Sequence, residues 1–389
     1  MPENPSKPEA PRAPFEAHSE GNATEPGEGT TTTRAIRIPR FGRPEVMVEE
    51  EIELRQPGPG ELHLRVRGSG VNFADLLQRA GLYGETPDLP YAPGFEVSGE
   101  VTRVGEGVTG WKEGDRAVAL LKFGGYARDV ILPAQQIFPF PGNLSFHEAA
   151  GIPVVFLTAW VCLFETGHAR AGDSVLILGA GGGVGTAAVQ LAVDRGLTVY
   201  GTAGTPEKRA FVVDELGARA CFDSRGAWAD ELYEALGRKR GLDIALDPVG
   251  GKATRAARKL LNPLGRLVFY GMSDALPGRK RSWLKAAWAR FRTPSIHPLS
   301  LVVPNQGIFG VHLLHLKEKE AMMVPAMEAI FAGVEEGRWK PIMDRTFPLD
   351  RDGAVEAHRF LHDRMNLGKV VLSPPSPPGP PGSGSGTNR

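Results

Sequence analysis

The chain has 389 residues, with 45 basic and 45 acidic side chains and two cysteines. This length predicts two domains of ordinary size, and the balanced charge gives no overall field that would favour nucleic acid. Two cysteines fit a reducing compartment and exclude a four-cysteine zinc site. No apolar run reaches the roughly 18 residues that a membrane-spanning helix needs. We therefore expect a cytoplasmic globular protein that does not bind nucleic acid.

The two ends of the chain differ in composition from the middle. Residues 1–33 are rich in Pro, Glu, Gly and Ser and lack the apolar segment of a signal peptide. Residues 373–389 are a Pro/Gly/Ser segment that cannot form a packed core. We expect both ends to be disordered, which leaves residues 34–372 as the folded part.

Residues 34–158 are predicted to form a mainly-β first domain. Short apolar runs recur roughly every ten residues and are separated by Gly and Pro, which favours an antiparallel barrel-like or sandwich unit. One helix is predicted at Asn72–Ala80. The clearest runs are Glu61–Val66, Glu96–Val104, Arg116–Leu120 and Ala127–Leu132.

Residues 159–317 change to an alternation of strands and helices, which predicts a parallel sheet. Six candidate strands match the number in a dinucleotide-binding sheet with two mononucleotide halves. The strands are Val175–Leu178, Thr198–Thr202, Ala220–Phe222, Ile244–Asp247, Arg266–Tyr270 and Ile308–His312. Residues 318–372 are expected to return to the first domain. They contain a helix, a Pro-bounded segment, a second helix and a strand, at Glu318–Gly333, Pro341–Phe347, Asp352–Met365 and Gly368–Leu372.

A glycine-dense turn between the first of these strands and a helix is the most informative motif. It has the pattern Ala180-x-Gly182-x-x-Gly185, with Ala in place of the first glycine. Small residues let the backbone approach a pyrophosphate, and the amides at a helix N-terminus donate hydrogen bonds to it. Glycine-rich turns also occur as plain tight turns, but the strand before and the helix after favour a dinucleotide site. Its candidate contacts are Ala180, Gly182, Gly183, Val184 and Gly185.

The second strand bears on the choice of cofactor. An NAD site normally ends this strand with an acid that binds the ribose 2′-hydroxyl, and residues 200–205 contain none. Instead the hydroxyl of Thr202 is followed by Lys208 and Arg209, and Arg225 comes just past the third strand. Such cations suit a 2′-phosphate. The alternative is that Lys208 and Arg209 lie on the exposed start of a helix. The pattern favours NADPH.

A series of motifs resembles the medium-chain dehydrogenase/reductase superfamily, and in particular its zinc-free, zeta-crystallin-like quinone oxidoreductase branch. The motifs span the whole folded part in the family's order. They are Val71–Asp75, Tyr91–Gly99, Lys112–Val118, Gly181–Ala192, Gly201–Thr205, Asp247–Gly251 and Gly368–Leu372. The resemblance implies an α/β protein with a Rossmann doubly wound parallel sheet and a GroES-like mainly-β catalytic domain. It also implies a homodimer paired through the edge strand at Ile308–Leu313.

The resemblance also exposes what this chain lacks. Zinc alcohol dehydrogenases of the superfamily place a Cys near the position of Asn72 and a His after the glycine at Gly94. Here these positions hold Asn72 and Phe95, and neither an amide nor a phenyl ring replaces a zinc ligand. Glu96 remains, and a lone carboxylate is expected to be a structural hydrogen-bonding residue. We therefore predict no metal.

Without a metal, the expected reaction is hydride transfer from the nicotinamide to a quinone or a conjugated enone. By family position, Asn72 and Tyr83 are the polar candidates for contact with the nicotinamide or the substrate. The alternatives are a helix N-cap for Asn72 and a half-buried loop aromatic for Tyr83. Asp75 is expected to be structural, on the solvent face or paired with Arg79.

Two further residues are candidate cofactor contacts. Thr158 resembles a cofactor-contacting threonine of the branch, although it also fits an ordinary helix position. Gly271 follows the fifth predicted strand.

An insertion at 275–304 separates the fifth and sixth predicted strands. Its segment Arg279–Arg292 contains six cations and no acid, with Trp283, Trp288 and Phe291 opposite most of the cations on a helical wheel. This composition favours an anionic membrane surface; the alternative is a lid helix packed on the cleft or on a partner subunit.

The insertion resembles the vesicle amine transport protein subgroup, whose members are associated with membranes and phospholipid binding. The resemblance therefore leaves three functions open. The first is an NADPH-dependent reductase. The second is a peripheral phospholipid-binding or transfer protein that retains the reductase fold. The third is a structural protein in which NADPH mainly stabilises the fold.

Overall fold

The computed structural model describes residues 30–275, 296–316 and 320–375. The strands of this part form a seven-stranded, a six-stranded and a two-stranded sheet. In chain order they are β1 (Thr31–Arg37), β2 (Val48–Leu54), β3 (Glu61–Val71), β4 (Glu96–Val104), β5 (Arg116–Leu120), β6 (Asp129–Pro133), β7 (Ile137–Pro139), β8 (Ser174–Ile177), β9 (Thr198–Ala203), β10 (Ala220–Asp223), β11 (Leu242–Asp247), β12 (Leu261–Phe269), β13 (Gly307–Gly310), β14 (Met343–Pro348) and β15 (Lys369–Ser373).

Helices connect these strands and cover the sheets. They are α1 (Phe73–Ala80), α2 (Phe146–Ala150), α3 (Pro153–Trp160), α4 (Gly183–Asp194), α5 (Pro206–Asp214), α6 (Trp228–Ala235), α7 (Gly251–Lys259), α8 (Leu299–Val302), α9 (Glu320–Glu335) and α10 (Arg351–His362). A π-helical turn at Val161–Thr166 continues α3.

The seven-stranded sheet is built around the long strand β3. It follows the order β14-β15-β3-β4-β5-β7, and β6 also pairs with β3. The side chains of Leu62, Leu64 and Val66 alternate along β3 and are buried in the core of this sheet, as the period of two in a strand requires. The predicted mainly-β unit is therefore confirmed.

The six-stranded sheet is parallel and follows the order β10-β9-β8-β11-β12-β13. Its central strand β8 is apolar without alternation because helices cover both faces: Val175, Leu176 and Ile177 are all fully buried. Strand order reverses between β8 and β11, and ligands of such sheets bind beyond the carboxyl ends of the strands at this switch point. The glycine turn follows β8 directly, so the fold places it at the switch point.

The returning segment differs from the expectation in its first helix. The Pro-bounded stretch Pro341–Phe347 contains strand β14, which pairs in parallel with β15. Helix α9 packs against α3, and Met323, Met327 and Ile330 lie in a core cluster with residues of α4 and β8. Residues 320–335 therefore pack with the six-stranded sheet, and the chain rejoins the first sheet only at β14.

One backbone contact joins the two large sheets. The amide of Gly368, directly before β15, donates to the carbonyl of Gly181 at 2.9 Å, and Gly368 forms a parallel bridge with Gly182. Gly368 has φ +81°, and a Cβ there would lie 2.2 Å from the carbonyl oxygen of Ile342, so only glycine fits. The residue before β15 of the seven-stranded sheet therefore contacts the glycine turn of the six-stranded sheet.

Candidate active site

The glycine turn has the geometry that the sequence predicts. Gly179 has φ +69°, and Gly182 immediately precedes α4. A Cβ on Gly185 would lie 2.3 Å from the carbonyl oxygen of Gly179, so the helix approaches the turn as closely as glycine allows. Ala180 is fully buried, and its amide donates to the carbonyl of Thr202 at 2.9 Å. The first amides of α4, at Gly183, Val184 and Gly185, have no partner within the helix and suit an anion.

Two cations lie near the turn: Lys208 in α5 and Arg225 just after β10. Lys208 lies beside Gly181, with its Cβ and Cδ 3.4 Å from the position a Cβ on that glycine would take, and its Nζ donates to the carbonyl of Arg364 at 2.7 Å. The guanidinium of Arg225 lies 3.6 Å from the corresponding point on Gly204. Burial lowers the pKa of Lys208; Asp344 opposes this shift and the charge of Arg225 adds to it. Since Arg225 forms no ion pair within the described ranges, this corner has positive charge available for an anion.

The other two predicted contacts of this corner have partners inside the protein. The hydroxyl of Thr202 accepts from the amide of Gly179 at 3.2 Å and stabilises the turn. Arg209 lies 3.3 Å from the carboxylate of Asp223, which also accepts from the amide of Arg225 at 2.9 Å. Sequence reasoning missed Asp223, although an acid at the end of the third strand was a visible signal.

Three buried polar side chains contact one another beside α1. Lys369 Nζ lies 2.6 Å from both Glu96 Oε1 and Asn72 Oδ1, and Asn72 Nδ2 donates to Glu96 Oε1 at 2.9 Å. The amide of Val154 donates to Glu96 Oε2 at 2.8 Å. The side chains of Glu96 and Lys369 are 0% and 3% exposed, so burial of the carboxylate is compensated by a full charge partner. We call these three residues the Asn72–Glu96–Lys369 group.

The expected structural role of Glu96 follows from these contacts. Asn72 directly precedes α1, as an N-cap does, and both ends of its amide are hydrogen-bonded. Its contact with a substrate stays a prediction. Sequence reasoning missed Lys369, because nothing local distinguishes a buried lysine from an exposed one. Among the residues that the structure describes, no group of three or more His, Cys, Asp or Glu side chains is placed to hold a metal ion.

Asp75 is buried rather than exposed, so the expectation of a solvent-facing residue or of an Arg79 partner is wrong. Its carboxylate accepts from the amides of Asn72 at 2.7 Å and Gly94 at 3.2 Å, and from the Tyr126 hydroxyl at 3.3 Å. Burial raises the pKa of Asp75 to about 7. Arg79 instead donates to His358 Nδ1 at 3.2 Å, across the chain.

The same network fixes the tautomer of His358. Because Nδ1 accepts from Arg79, the proton lies on Nε2, which is 3.1 Å from the Tyr126 oxygen. Burial lowers the pKa of His358 well below its usual value, with the charge of Arg79 adding to the shift. A neutral histidine therefore connects the interior cation to the tyrosine that binds Asp75.

Tyr83 packs against Phe95, the residue directly before Glu96. Its ring centroid is 5.9 Å from that of Phe95, and its hydroxyl is 2.8 Å from His312 Nε2. Burial raises the pKa of Tyr83 above its usual value. The sequence predicted a strand that ends at His312. In the structure β13 ends at Gly310, so His312 lies two residues beyond the strand.

The two remaining cofactor candidates lie near the glycine turn. Thr158 is buried in α3, and Val155 of that helix lies 3.0 Å from the position a Cβ on Gly183 would take. Gly271 follows β12 and packs against Pro248 at the neighbouring strand end, where a Cβ would lie 3.2 Å from the Pro248 carbonyl oxygen. Their contacts with a cofactor stay predictions.

The basic aromatic segment Arg279–Arg292 lies outside the described residues. Its proposed contact with an anionic membrane surface therefore stays a prediction of the sequence. Within the described ranges, no helix combines the length and the apolar character needed to cross a membrane.

Replacing Asp75 by Asn tests its buried carboxyl. A folded-state pKa raised from 3.8 to about 7 gives stability that is present below about pH 4 and lost as pH rises through 7. The free energy of unfolding of the unmutated protein, relative to Asp75→Asn, should therefore fall between pH 5 and 7 by up to about 1.4 kcal/mol per pH unit and level off above. Denaturant titrations measure this.

The control for that experiment is Asp352→Asn, because the Asp352 side chain is 84% exposed. It should give a pH-independent difference. Parallel stability curves for Asp75→Asn and the unmutated protein would contradict the assignment.

A glycine turn at the switch point of a six-stranded parallel sheet, joined to a mainly antiparallel sheet, defines a two-domain oxidoreductase with a dinucleotide site. Comparison with known proteins agrees. Residues 58–142 match the family model "Alcohol dehydrogenase GroES-like domain", and residues 183–303 match "Zinc-binding dehydrogenase". This chain nevertheless has Asn72 and Phe95 at the expected ligand positions.

Relatives specify the family. The chain is 36% identical to the Danio rerio synaptic vesicle membrane protein VAT-1 homolog over 90% of this chain and 71% of the relative. It is 32% identical to Rattus norvegicus quinone oxidoreductase, over 88% and 98%. A solved structure of Escherichia coli quinone oxidoreductase complexed with NADPH is 26% identical and matches with a TM-score of 0.78, over 88% of this chain and 100% of that one. The chain belongs to the medium-chain dehydrogenase/reductase superfamily, as predicted, and is similar to VAT-1 homologs and quinone oxidoreductases.

Proposed function

We propose that this protein is an NADPH-dependent, zinc-independent reductase that transfers a hydride to quinones or conjugated enones. One observation carries the proposal: the glycine turn meets the Asn72–Glu96–Lys369 group at Gly368. A dinucleotide on the turn would therefore lie beside this group, where the two sheets meet. Of the similar proteins, the rat relative is named as a quinone oxidoreductase, and the E. coli structure contains NADPH.

The residues around the turn fit NADPH. The amides of Gly183 to Gly185 suit the pyrophosphate. Lys208 beside Gly181 and Arg225 beside Gly204 suit a 2′-phosphate, because a cation forms a charge-assisted hydrogen bond with phosphate. No acidic side chain ends β9, where NAD-selective sites place one.

The Asn72–Glu96–Lys369 group and Tyr83 fit an acceptor that needs no Lewis acid. NADPH, when bound, supplies the hydride. Asn72 and Lys369 hold the carboxylate of Glu96, so this buried charge is neutralised within the protein. The Tyr83 ring packs on the buried Phe95, and its hydroxyl is a hydrogen-bond donor for the oxygen that becomes negative.

We further propose that the protein is a homodimer paired through β13. Strand β13 is the edge of its sheet in the part of the chain that the structure describes. Large apolar side chains beside it are exposed: Leu264 (78%), Leu299 (65%), Val303 (85%) and Phe309 (39%). An edge strand that no described strand covers, with apolar neighbours, favours pairing with a second copy.

Sedimentation tests the dimer. The unmutated protein should sediment as a dimer, and Leu299→Glu/Val303→Glu should sediment as a monomer, because two charges would enter the apolar contact. Tyr233→Glu is the control: Tyr233 is also exposed (40%) but belongs to α6, near the opposite edge of the sheet. A monomeric unmutated protein at micromolar concentration would overturn this proposal.

Removing the two cations tests the choice of cofactor. Lys208→Ala and Arg225→Ala should each weaken NADPH binding by about tenfold or more, because each loses a charge-assisted contact with the 2′-phosphate. Binding of NADH, which lacks this phosphate, should change by less than about threefold. Calorimetric titration measures both. Arg195→Ala, at the far end of α4, should change neither, and equal losses for the two cofactors would contradict the assignment.

Turnover tests the reaction itself. The purified protein should oxidise NADPH with 9,10-phenanthrenequinone or 1,2-naphthoquinone, followed at 340 nm as about one NADPH per quinone. Gly185→Val should be inactive, because its side chain would collide with the Gly179 carbonyl and displace the turn. If a broad panel of quinones and enones gives no turnover, the proposed function is wrong.

A further inference from the structure

The proposed reaction leaves a proton to be supplied. A quinone that gains a hydride becomes a hydroquinone monoanion, and one of its oxygens must then take a proton. A general acid has to lie within hydrogen-bond reach of that oxygen. The assignment of a residue that supplies this proton rests on the proposed function.

The Tyr83 hydroxyl is the donor that the proposed function assigns to the acceptor oxygen. Tyr83 is half-buried, and its ring packs at a tilt against Phe95, 5.9 Å away. Phe95 directly precedes Glu96 of the Asn72–Glu96–Lys369 group, so the phenol lies next to the interior of the site. Burial raises the pKa of Tyr83 above its usual value. The phenol therefore keeps its proton at neutral pH, and it releases that proton readily only if another acid replaces it in the same step.

His312 is placed to be this second acid. Its Nε2 lies 2.8 Å from the Tyr83 oxygen, and the two ring centroids are 5.4 Å apart. The backbone holds it there: the amide of Val311 donates to the Phe269 carbonyl at 2.9 Å, and the amide of His315 donates to the His312 carbonyl at 3.0 Å. His312 is itself exposed, so it exchanges protons directly with water.

The charged groups around His312 come from three parts of the chain. The His315 ring is 4.2 Å away, Glu85 lies 3.2 Å from His315 Nε2, and Lys122 after β5 lies 3.2 Å from Glu85. Burial lowers the pKa of His312; His315 and Lys122 add to the shift, and Glu85 opposes it. Protonated His312 is therefore a stronger acid than an ordinary histidine.

We propose that His312 is a positioning residue that orients the Tyr83 hydroxyl and returns its proton during quinone reduction. The quinone gains a hydride, with two electrons, from the cofactor. An oxygen of the resulting monoanion takes the Tyr83 proton and completes the hydroquinone. The Tyr83 oxygen takes the proton from Nε2 of protonated His312, and neutral His312 is protonated again by water. The sum is one quinone, one hydride and one proton giving one hydroquinone.

The pH profile of kcat with NADPH and 9,10-phenanthrenequinone tests this role. In the unmutated protein kcat should rise as pH falls through the ionisation of His312, below about 6.5. In His312→Gln the step should disappear, and kcat at pH 6 should fall about tenfold or more with KM unchanged. Tyr83→Phe should also flatten the profile, and Tyr83→Phe/His312→Gln should be no worse than the poorer single variant.

His315→Gln is the matched control. It removes a neighbour that lowers the pKa of His312, so the midpoint should move up while the plateau at low pH is kept. A readout without turnover is the imidazole signal of His312 in an NMR titration of the unmutated protein with NADPH bound and no quinone present. Its midpoint should equal that of kcat/KM for the quinone at saturating NADPH, and should change in Tyr83→Phe, whether or not the His312 variant folds.

The outcomes separate this inference from the proposed function. If the unmutated protein reduces no quinone, both fail. If it reduces quinones but His312→Gln keeps the unmutated pH profile, the role of His312 is overturned and the reductase function stands. Multiplied losses in the double variant, or an NMR midpoint different from that of kcat/KM for the quinone, also overturn it.

Discussion

The hydrogen bond from the Gly368 amide to the Gly181 carbonyl is the contact on which the rest of the site depends. Gly181 belongs to the turn that a dinucleotide would occupy, and Gly368 directly precedes the last strand of the other sheet. The left-handed conformation of Gly368 and the nearby Ile342 carbonyl exclude any side chain at this position. Because the contact uses only backbone atoms, it fixes the position of one sheet against the other independently of the surrounding side chains.

The residue after Gly368 places a buried charge where the two sheets meet. Lys369 enters the interior and pairs with Glu96, while Asn72 binds both. A buried ion pair contributes little net stability, yet removal of one partner costs about 3–5 kcal/mol because the other charge stays buried. The group is therefore better understood as a device that fixes geometry. Its contacts hold strand β15, strand β4 and the start of α1 at one point.

Local features of this fold were predictable, and contacts between distant residues were not. The strand, turn and helix around Gly182 have a sequence signature because neighbouring residues specify it. The position of Asp75 was wrongly predicted, because i,i+4 spacing suggested Arg79 as a partner. The true partners are the Asn72 and Gly94 amides and Tyr126. Lys369 lies 273 residues from Glu96 in sequence (369 − 96), and no local pattern indicates that pair.

The same distinction explains the cofactor corner. An absent acid after β9 and the nearby Lys208 and Arg209 were visible in the sequence. Only the fold separates their roles: Lys208 lies beside Gly181, Arg225 lies beside Gly204, and Arg209 pairs with Asp223. The second strand alone did not reveal Asp223, because the acid comes from the neighbouring strand β10.

Lys208 and Arg225 are proposed to select a cofactor with a 2′-phosphate. Calorimetric titration of the unmutated protein with NADPH and with NADH, at one salt concentration, tests this selection most directly. We predict that NADPH binds at least about tenfold more tightly, which corresponds to roughly 1.4 kcal/mol or more. Equal dissociation constants, or tighter binding of NADH, would contradict the account.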